Sequence, residues 1–381
     1  MKKTETPLVS ICTPFFNSGK YIHRFLDSCL GQTYENIEII VVDNASTDNG
    51  GEIVKKYALR DSRLKYFRND KSMGITECLE KMFELAHGRF VVWPGADDWL
   101  ARDFIENGVR SFSEHPEAAG IVPKVVTLAE TNPDKFEFKN ETNIPSKTYS
   151  REWYLRRSYK KPFTLTSLGL IRKEDALLLL GYFLKNYCND MSLSEELRGW
   201  YLNKGYCIDI VFFLEILTRY KNFVWDNSLV YLKTINPGNV QFDENRYGSA
   251  LGILKFYNYQ IISHKRLFKF EFPGFYPGMK IFMGSEALST AFIYFLRSGL
   301  RPSFLNIGEC WKLMAELFGD FSIFEVSAVI AFSIPRTIYR FVDFMWRGLT
   351  KIGNNEDNNS AVFIGNNFLD SNGTFNALSS Q

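Results

Sequence analysis

No CxxC pair occurs in this 381-residue chain, and its six cysteines (Cys12, Cys29, Cys78, Cys188, Cys207, Cys310) are scattered. That pattern excludes a disulfide framework and a zinc ribbon, and it fits a reducing compartment. Histidine is scarce, four in all, and unclustered. An excess of one charge is missing as well: 45 Lys and Arg stand against 43 Asp and Glu, for a formal +2. So balanced a surface argues against general nucleic-acid binding. No run reaches the roughly 18 uninterrupted apolar residues of a membrane-spanning helix. The opening MKKTETPLVS has a basic start but no apolar core before Pro7, so it does not read as a signal peptide, and a cytoplasmic location is expected. No GxGxxG follows the first predicted strand, and GxxxxGK[ST] is absent. Dinucleotide-binding Rossmann and P-loop readings drop out.

What is present is a regular alternation. Leu8–Thr13 reads as a strand ended by Pro14, and 21–30 as a helix with apolar residues on one face. Ile37–Val42 is an unbroken apolar run, the mark of a strand covered on both sides, and it ends at Asp43. A polar loop over 44–51 leads to a helix near 53–59, a short strand at 64–67 and an amphipathic helix over 75–86 stopped by Gly88. This βαβαβα order predicts an α/β fold with a mostly parallel sheet, right-handed crossovers and helices on both faces.

The chain is organised around Arg89–Leu100, RFVVWPGADDWL. Phe90–Trp93 reads as a short buried strand stopped by Pro94 and Gly95, with Asp97 and Asp98 just beyond its end. In open α/β sheets ligands bind outside such strand ends. Adjacent carboxylates repel unless a cation or hydroxyl groups lie between them, and hard divalent cations such as Mg²⁺ take oxygen ligands of this kind. The plainer reading makes Asp98 the N-cap of a helical segment over 99–112. Three strand ends, carrying Thr13, Asp43 and the Asp97–Asp98 pair, would share one edge of a parallel sheet. There a Thr and an Asp can bond a nucleobase, a second Asp can take ribose hydroxyls, and Asp98 is left for a metal on a diphosphate.

These motifs, in this order, resemble family 2 glycosyltransferases of the A-type fold. The resemblance rests on the Thr13–Asn17 turn (TPFFN), on Ser28, Gln32 and Thr33 in Ser-x-x-x-Gln-Thr, on Asp43 followed by Ser46, Thr47 and Asp48, and on Asp97–Asp98. It is strong over residues 7 to about 125 and looser over about 160–240. It implies an inverting transfer from a nucleotide-diphospho-sugar, most readily a UDP-sugar. Thr13 and Asp43 would contact the base, Pro14, Phe15 and Asn17 would be substrate-binding residues, Asp97 would meet the ribose, and Asp98 would coordinate Mg²⁺ or Mn²⁺. Many relatives carry Asn-x-Gly and an Arg before the third helix, where this chain has Lys71-Ser72-Met73-Gly74. Lys71 can meet a phosphate as a point charge or stay a solvated surface lysine.

The stretch 129–148 is polar and punctuated by Pro and Asn, and it reads as a mobile loop beside the acceptor site. TLTSLGLIR (164–172) resembles the strand before the family's acceptor-side helix, and 173–204 adds surplus carboxylates in Asp175, Asp190, Glu195 and Glu196. CIDIVFFLEILTRY matches the family's second signature, in which an Asp opening a helix faces the acceptor hydroxyl. That residue is Asp209, a general base by resemblance and a helix N-cap by its position. Asp190 is the alternative base. Where relatives carry a metal-side His, this chain has Asn236, a weaker ligand.

Beyond about 246 the chain turns aromatic, helical and mildly basic, with Phe and Trp beside Arg over 336–347. Helices of that kind either lie in a membrane interface or pack as a helical subdomain. The expected layout is a catalytic domain over 1–240 (nucleotide-sugar half 1–125, acceptor half 126–240), a helical region over 241–352 and a disordered tail over 353–381. The expected partners are a nucleotide-sugar donor and a glycan or lipid-linked acceptor, as in cell-surface polysaccharide synthesis, with peripheral contact to the inner face of the cell membrane. Two other classes use similar residues. A nucleotidyltransferase also pairs carboxylates around a metal, but Pro14–Lys20 lacks its Gly-rich basic loop. A degenerate nucleotide- or glycan-binding protein would explain the missing His.

Overall fold

The computed structural model describes residues 6–132, 135–160, 169–189 and 208–235, with short stretches at 281, 284–285, 326–331, 333–334, 362–364, 367–369 and 375–377. The chain divides into two compact units, one of Met1–Tyr154, Phe163–Ile235 and Ala361–Gln381, the other of Leu155–Pro162 and Asn236–Ser360. In chain order the elements are β1 (Val9–Phe15), α1 (Ile22–Leu30), β2 (Ile37–Asp43), α2 (Gly50–Ala58), β3 (Leu64–Arg68), α3 (Ile75–Leu85), β4 (Phe90–Val92), β5 (Trp99–Leu100) and α4 (Phe104–Glu114). Then follow β6 (Ile121–Asn132), β7 (Lys135–Glu141), β8 (Lys147–Ser150), α5 (Arg151–Lys160), β9 (Ile171–Arg172), α6 (Lys173–Phe183), a π turn at Leu184–Cys188, α7 (Ile208–Arg219) and β10 (Asn222–Ile235). Three short strands close the series: β11 (Val362–Ile364), β12 (Asn367–Leu369) and β13 (Phe375–Ala377).

The alternation read from the first half of the sequence is an α/β fold. β3, β2, β1 and β4 lie side by side in parallel, and β9 joins β4 antiparallel at the far edge. Every residue of β2 is buried, as an unbroken apolar run requires. Its one charged interior residue, Glu38, is satisfied by the Ser10 hydroxyl and the Lys65 ammonium, each at 2.7 Å. Phe25, Leu26 and Cys29 turn the apolar stripe of α1 onto the sheet and join the main core with Ile11, Ile39 and Val41. Because the four strands are parallel, their C-terminal ends share one edge.

A second, six-stranded sheet was not legible in the sequence. Its order is β11-β7-β6-β10-β5, with β8 also on β10. β10 runs parallel to β6 and antiparallel to β5 and β8. The stretch read as a mobile loop over 129–148 is the end of β6, all of β7 and the start of β8. Only every second residue of β7 needs to be apolar, so Phe136 and Phe138 alternate with Lys and Glu and the segment reads as charged. Phe136 is buried edge-on to Trp99, with ring centroids 4.9 Å apart.

Trp99 and Leu100, expected at the head of a helix, form β5 instead, and α4 begins at Phe104. Ala101 N–H donates to Val230 O at 3.0 Å and Leu100 N–H to Ser28 Oγ at 3.3 Å, so tertiary partners take the backbone groups a helix would use. Asp98 therefore caps no helix. Within the tail expected to be disordered, β11 pairs with β7, and β12 pairs with β13. A Val-Phe-Ile run suits the edge that β7 offers. The helical region expected over 241–352 lies almost wholly outside the described residues, and Asp190, Glu195, Glu196 and Asn236 lie outside them. Among the described residues no helix is long and apolar enough to cross a membrane.

Candidate active site

The site grows from the C-terminal ends of β1, β2 and β4. Register places Phe15 opposite Asp43 and Asp43 opposite Arg68, so β1, β2 and β3 stop at one level, while β4 ends earlier, with Val92 opposite Ile11. Past Phe15 the chain turns through Asn17, whose left-handed backbone (φ 50°) suits asparagine. Its side-chain carbonyl accepts from Thr47 N–H at 2.8 Å, and its own N–H donates to Ser46 Oγ at 3.0 Å. Asp48 accepts from Gly19 N–H at 2.7 Å and Gly50 N–H at 3.0 Å. The loops after β1 and β2 are thus laced into one rim.

Asp43 is fully buried. Its Oδ1 accepts Ser46 N–H at 2.8 Å, and its Oδ2 accepts the Tyr66 hydroxyl at 2.7 Å and the Arg68 guanidinium. Burial pushes its carboxyl upward, but the bonds from Ser46, Tyr66 and Arg68 outweigh it and hold the group below the usual carboxylate range. Asn44 reaches the other way, bonding Met73 through its N–H (2.8 Å) and its carbonyl (2.9 Å), and so fixes the loop carrying the exposed Lys71.

Two of the expected substrate-binding residues have buried side chains. Thr13 is fully buried and its hydroxyl donates to Pro94 O at 2.9 Å, so it ties β1 to the turn after β4. Phe15 points into the core. Its neighbour Phe16, half exposed at 52%, presents a ring at the rim beside Pro14 and Asn17. Alternation along a strand accounts for this: when Phe15 faces the core, the residue after it does not.

Asp97 and Asp98 follow the Pro94–Gly95–Ala96 turn. A Cβ built on Gly95 would lie 2.9 Å from Asp97 Oδ1 and 3.0 Å from Asp98 Oδ2. The two carboxylates therefore converge on the space that glycine leaves open. Asp98 is buried, and burial together with the neighbouring Asp97 charge pushes its carboxyl up to about 7. Its Oδ2 accepts the Tyr231 hydroxyl at 2.7 Å, and its Oδ1 accepts Thr234 N–H at 2.7 Å. The Tyr231 oxygen accepts Gly95 N–H at 3.1 Å, and the Thr234 hydroxyl donates to Asp97 O at 2.6 Å. Tyr231 and Thr234 were missed in the sequence. The only signal there was the continuous apolar run Leu229–Leu232, which reads as a buried strand.

Two adjacent carboxylates, one disfavoured as an anion, form a donor set suited to a hard divalent cation. Among the described residues no cluster of three or more His, Cys, Asp or Glu side chains could hold a metal. Any cation here would complete its shell with substrate oxygens and water. Asp209 lies in the first turn of α7, whose Phe212, Phe213, Ile216 and Leu217 are buried.

The Ser-x-x-x-Gln-Thr motif proves to be scaffolding. Gln32 donates to Ser28 O (2.9 Å) and Ala101 O (2.8 Å) and accepts from Ile105 N–H (3.0 Å), while Thr33 donates to Glu106 at 2.6 Å. It anchors the chain leaving Asp98 and satisfies the first turn of α4.

A parallel sheet whose strand ends gather an Asp rim and a two-aspartate turn, with a mixed second sheet behind that turn, is the A-type nucleotide-diphospho-sugar transferase fold. Residues 10–176 match the sequence model of glycosyl transferase family 2. GlyG, a glycosyltransferase of Streptococcus pneumoniae, is 34% identical over 99 residues, 26% of this chain and 33% of that protein. The putative glycosyltransferase EpsH of Bacillus subtilis is 34% identical over 113 residues, 30% of this chain and 33% of that protein. Chondroitin synthase of Pasteurella multocida is 30% identical over 146 residues, 38% of this chain and 14% of that protein. The matched stretches thus span a third or less of these relatives. S. aureus TarS 1–349, solved with UDP-GlcNAc, shares the fold at a TM-score of 0.53 and 16% identity, with 94% of this chain and 99% of that one covered.

Proposed function

We propose that this chain is an inverting glycosyltransferase that moves a sugar from a UDP-sugar to a glycan or lipid-linked acceptor in cell-surface polysaccharide synthesis. The observation that carries the proposal is the convergence of Asp97 and Asp98 over Gly95, at the same sheet edge as Asp43 and the Asn17 turn. The names of the relatives, a chondroitin synthase among them, support a polysaccharide product. UDP is favoured because the TarS fold neighbour was solved with UDP-GlcNAc.

In this reading the rim of Phe16, Asn17 and Asp43 receives the base, and Asp97 takes ribose hydroxyls. Lys71 lies on the loop that Asn44 fixes and meets a phosphate. Asp98 holds Mg²⁺ or Mn²⁺, which when bound would neutralise charge on the departing diphosphate. Asp209 takes the proton of the acceptor hydroxyl as its oxygen attacks the anomeric carbon from the face opposite the leaving group. The aromatic region over 241–352 would carry peripheral contact with the membrane's inner face, close to a lipid-linked acceptor.

Calorimetric binding of UDP and GDP, each with and without Mn²⁺, to wild type and Asp98→Ala tests the donor site. Mn²⁺-dependent binding of UDP that disappears in Asp98→Ala is the expected result. No binding of either nucleotide under any condition overturns the proposal.

A further inference from the structure

We propose that Tyr231 and Thr234 of β10 are the positioning residues of the metal-binding carboxylate, fixing Asp98 so that its free edge faces the space over Gly95. Both lie outside the 10–176 stretch that matches the family, and this role rests on the donor-site reading above.

The geometry is specific. β5 and β10 pair antiparallel through Leu100–Tyr231 and Trp99–Leu232, so continuing the ladder would set Thr234 opposite Asp97. The ladder continues, but through side chains. Thr234 N–H, which a further ladder rung would employ, goes to Asp98 Oδ1 at 2.7 Å, and Asp97 O is taken by the Thr234 hydroxyl at 2.6 Å. One threonine thus holds the carboxylate of one aspartate and the backbone of the other.

Tyr231 completes the clamp. Its oxygen accepts Gly95 N–H, which leaves its proton to be donated to Asp98 Oδ2. The ring is 2% exposed within the core, where a phenylalanine would fill the same volume. A packing role needs the ring alone; the hydroxyl is explained by Asp98. Tyr231 anchors Oδ2, and Thr234 anchors Oδ1 through its N–H at 2.7 Å with its hydroxyl at 3.5 Å, so both oxygens hold Asp98 from rotating away from Asp97.

The test measures Mn²⁺ affinity by electron paramagnetic resonance on the full chain with saturating UDP, beside thermal melting. Removing an outer-shell partner of a ligand typically weakens metal binding about 10–100-fold, and that loss is expected for Tyr231→Phe. Thr234→Val keeps the backbone N–H on Asp98 Oδ1 but loses the hydroxyl bond that fixes the Asp97 carbonyl. That frees the two-aspartate turn and should weaken Mn²⁺ in the same direction, whereas Thr234→Ser, which keeps that hydroxyl, should restore wild-type affinity. The threonine pair decides the matter if Tyr231→Phe fails to fold. Wild-type Mn²⁺ affinity in folded Tyr231→Phe, or in Thr234→Val, overturns this inference alone. A wild-type protein that binds no Mn²⁺ in the presence of UDP overturns the donor-site reading, and this inference with it.

Discussion

The hydroxyl of Thr13 donates to the carbonyl of Pro94 across 81 residues of sequence, at 2.9 Å and out of contact with water. This bond sets the turn from which Asp97 and Asp98 emerge. Thr13→Val keeps the shape and leaves a buried carbonyl unpaired, at a cost of about 1–3 kcal/mol. A melting temperature lower by about 2–4 °C for each kcal/mol is expected by calorimetry, together with weaker Mn²⁺-dependent UDP binding. An unchanged melting temperature would show that Pro94 finds another donor.

Gly95→Ala is a sharper probe of the carboxylate pair. The added Cβ would lie 2.9 Å from Asp97 Oδ1 and 3.0 Å from Asp98 Oδ2, closer than ordinary contact. Asp98 cannot swing aside without breaking its bonds to Tyr231 and Thr234. Mn²⁺-dependent UDP binding is therefore expected to fall by about tenfold or more, a loss of about 1.4 kcal/mol. Titration calorimetry reads this directly, and wild-type affinity in the variant would refute the convergence of the pair.

The raised carboxyl of Asp98 predicts a pH dependence with a definite sign. Its folded value, about 7, lies above the ordinary 3.8, so the folded state holds the proton more tightly. The associated stability is complete below about pH 4 and is lost as pH rises through about 7, by at most about 1.4 kcal/mol per pH unit. Without metal, the wild-type melting temperature should fall more steeply from pH 4 to pH 8 than that of Asp98→Asn, whose side chain has no proton to lose. Mn²⁺ with UDP should raise the wild-type melting temperature at pH 8 and leave Asp98→Asn unmoved. Parallel melting curves across that range would argue against an Asp98 proton.

Asp209→Asn separates chemistry from binding. Loss of a general base costs about 10²–10⁴-fold in turnover, so kcat for transfer should drop by that factor. Mn²⁺-dependent UDP affinity should stay at the wild-type level. Equal kcat in the two proteins would move the base elsewhere, with Asp190 the next candidate.

The first sheet was legible because a parallel strand covered on both faces is written as a continuous apolar run, as in Ile37–Val42. The Asp97–Asp98 turn was legible because Pro94 and Gly95 mark where its strand stops. β7 was hidden, since one strand face must stay polar and Phe136 and Phe138 alone do not announce a sheet. Phe15 and Phe16 could not be told apart until strand alternation decided which ring enters the core. The partners of Asp98 stand more than 130 residues away in the sequence, and no local pattern joins Tyr231 to Asp98. Gln32 and Thr33 carried a family signature without a meaning; their bonds to Ala101, Ile105 and Glu106 supply it.

The long strand β10 has a bearing on how such enzymes can be recombined. The stretch that matches the family ends at residue 176 and contains both aspartates, whereas the residues orienting Asp98 stand at 231 and 234. Grafting the first half of a relative onto this chain would import a foreign aspartate pair and leave it to be seated by β10 of the host. A working chimera has to keep residues 95–100 and 229–234 from the same parent, so an exchange boundary between those two stretches is the one to avoid.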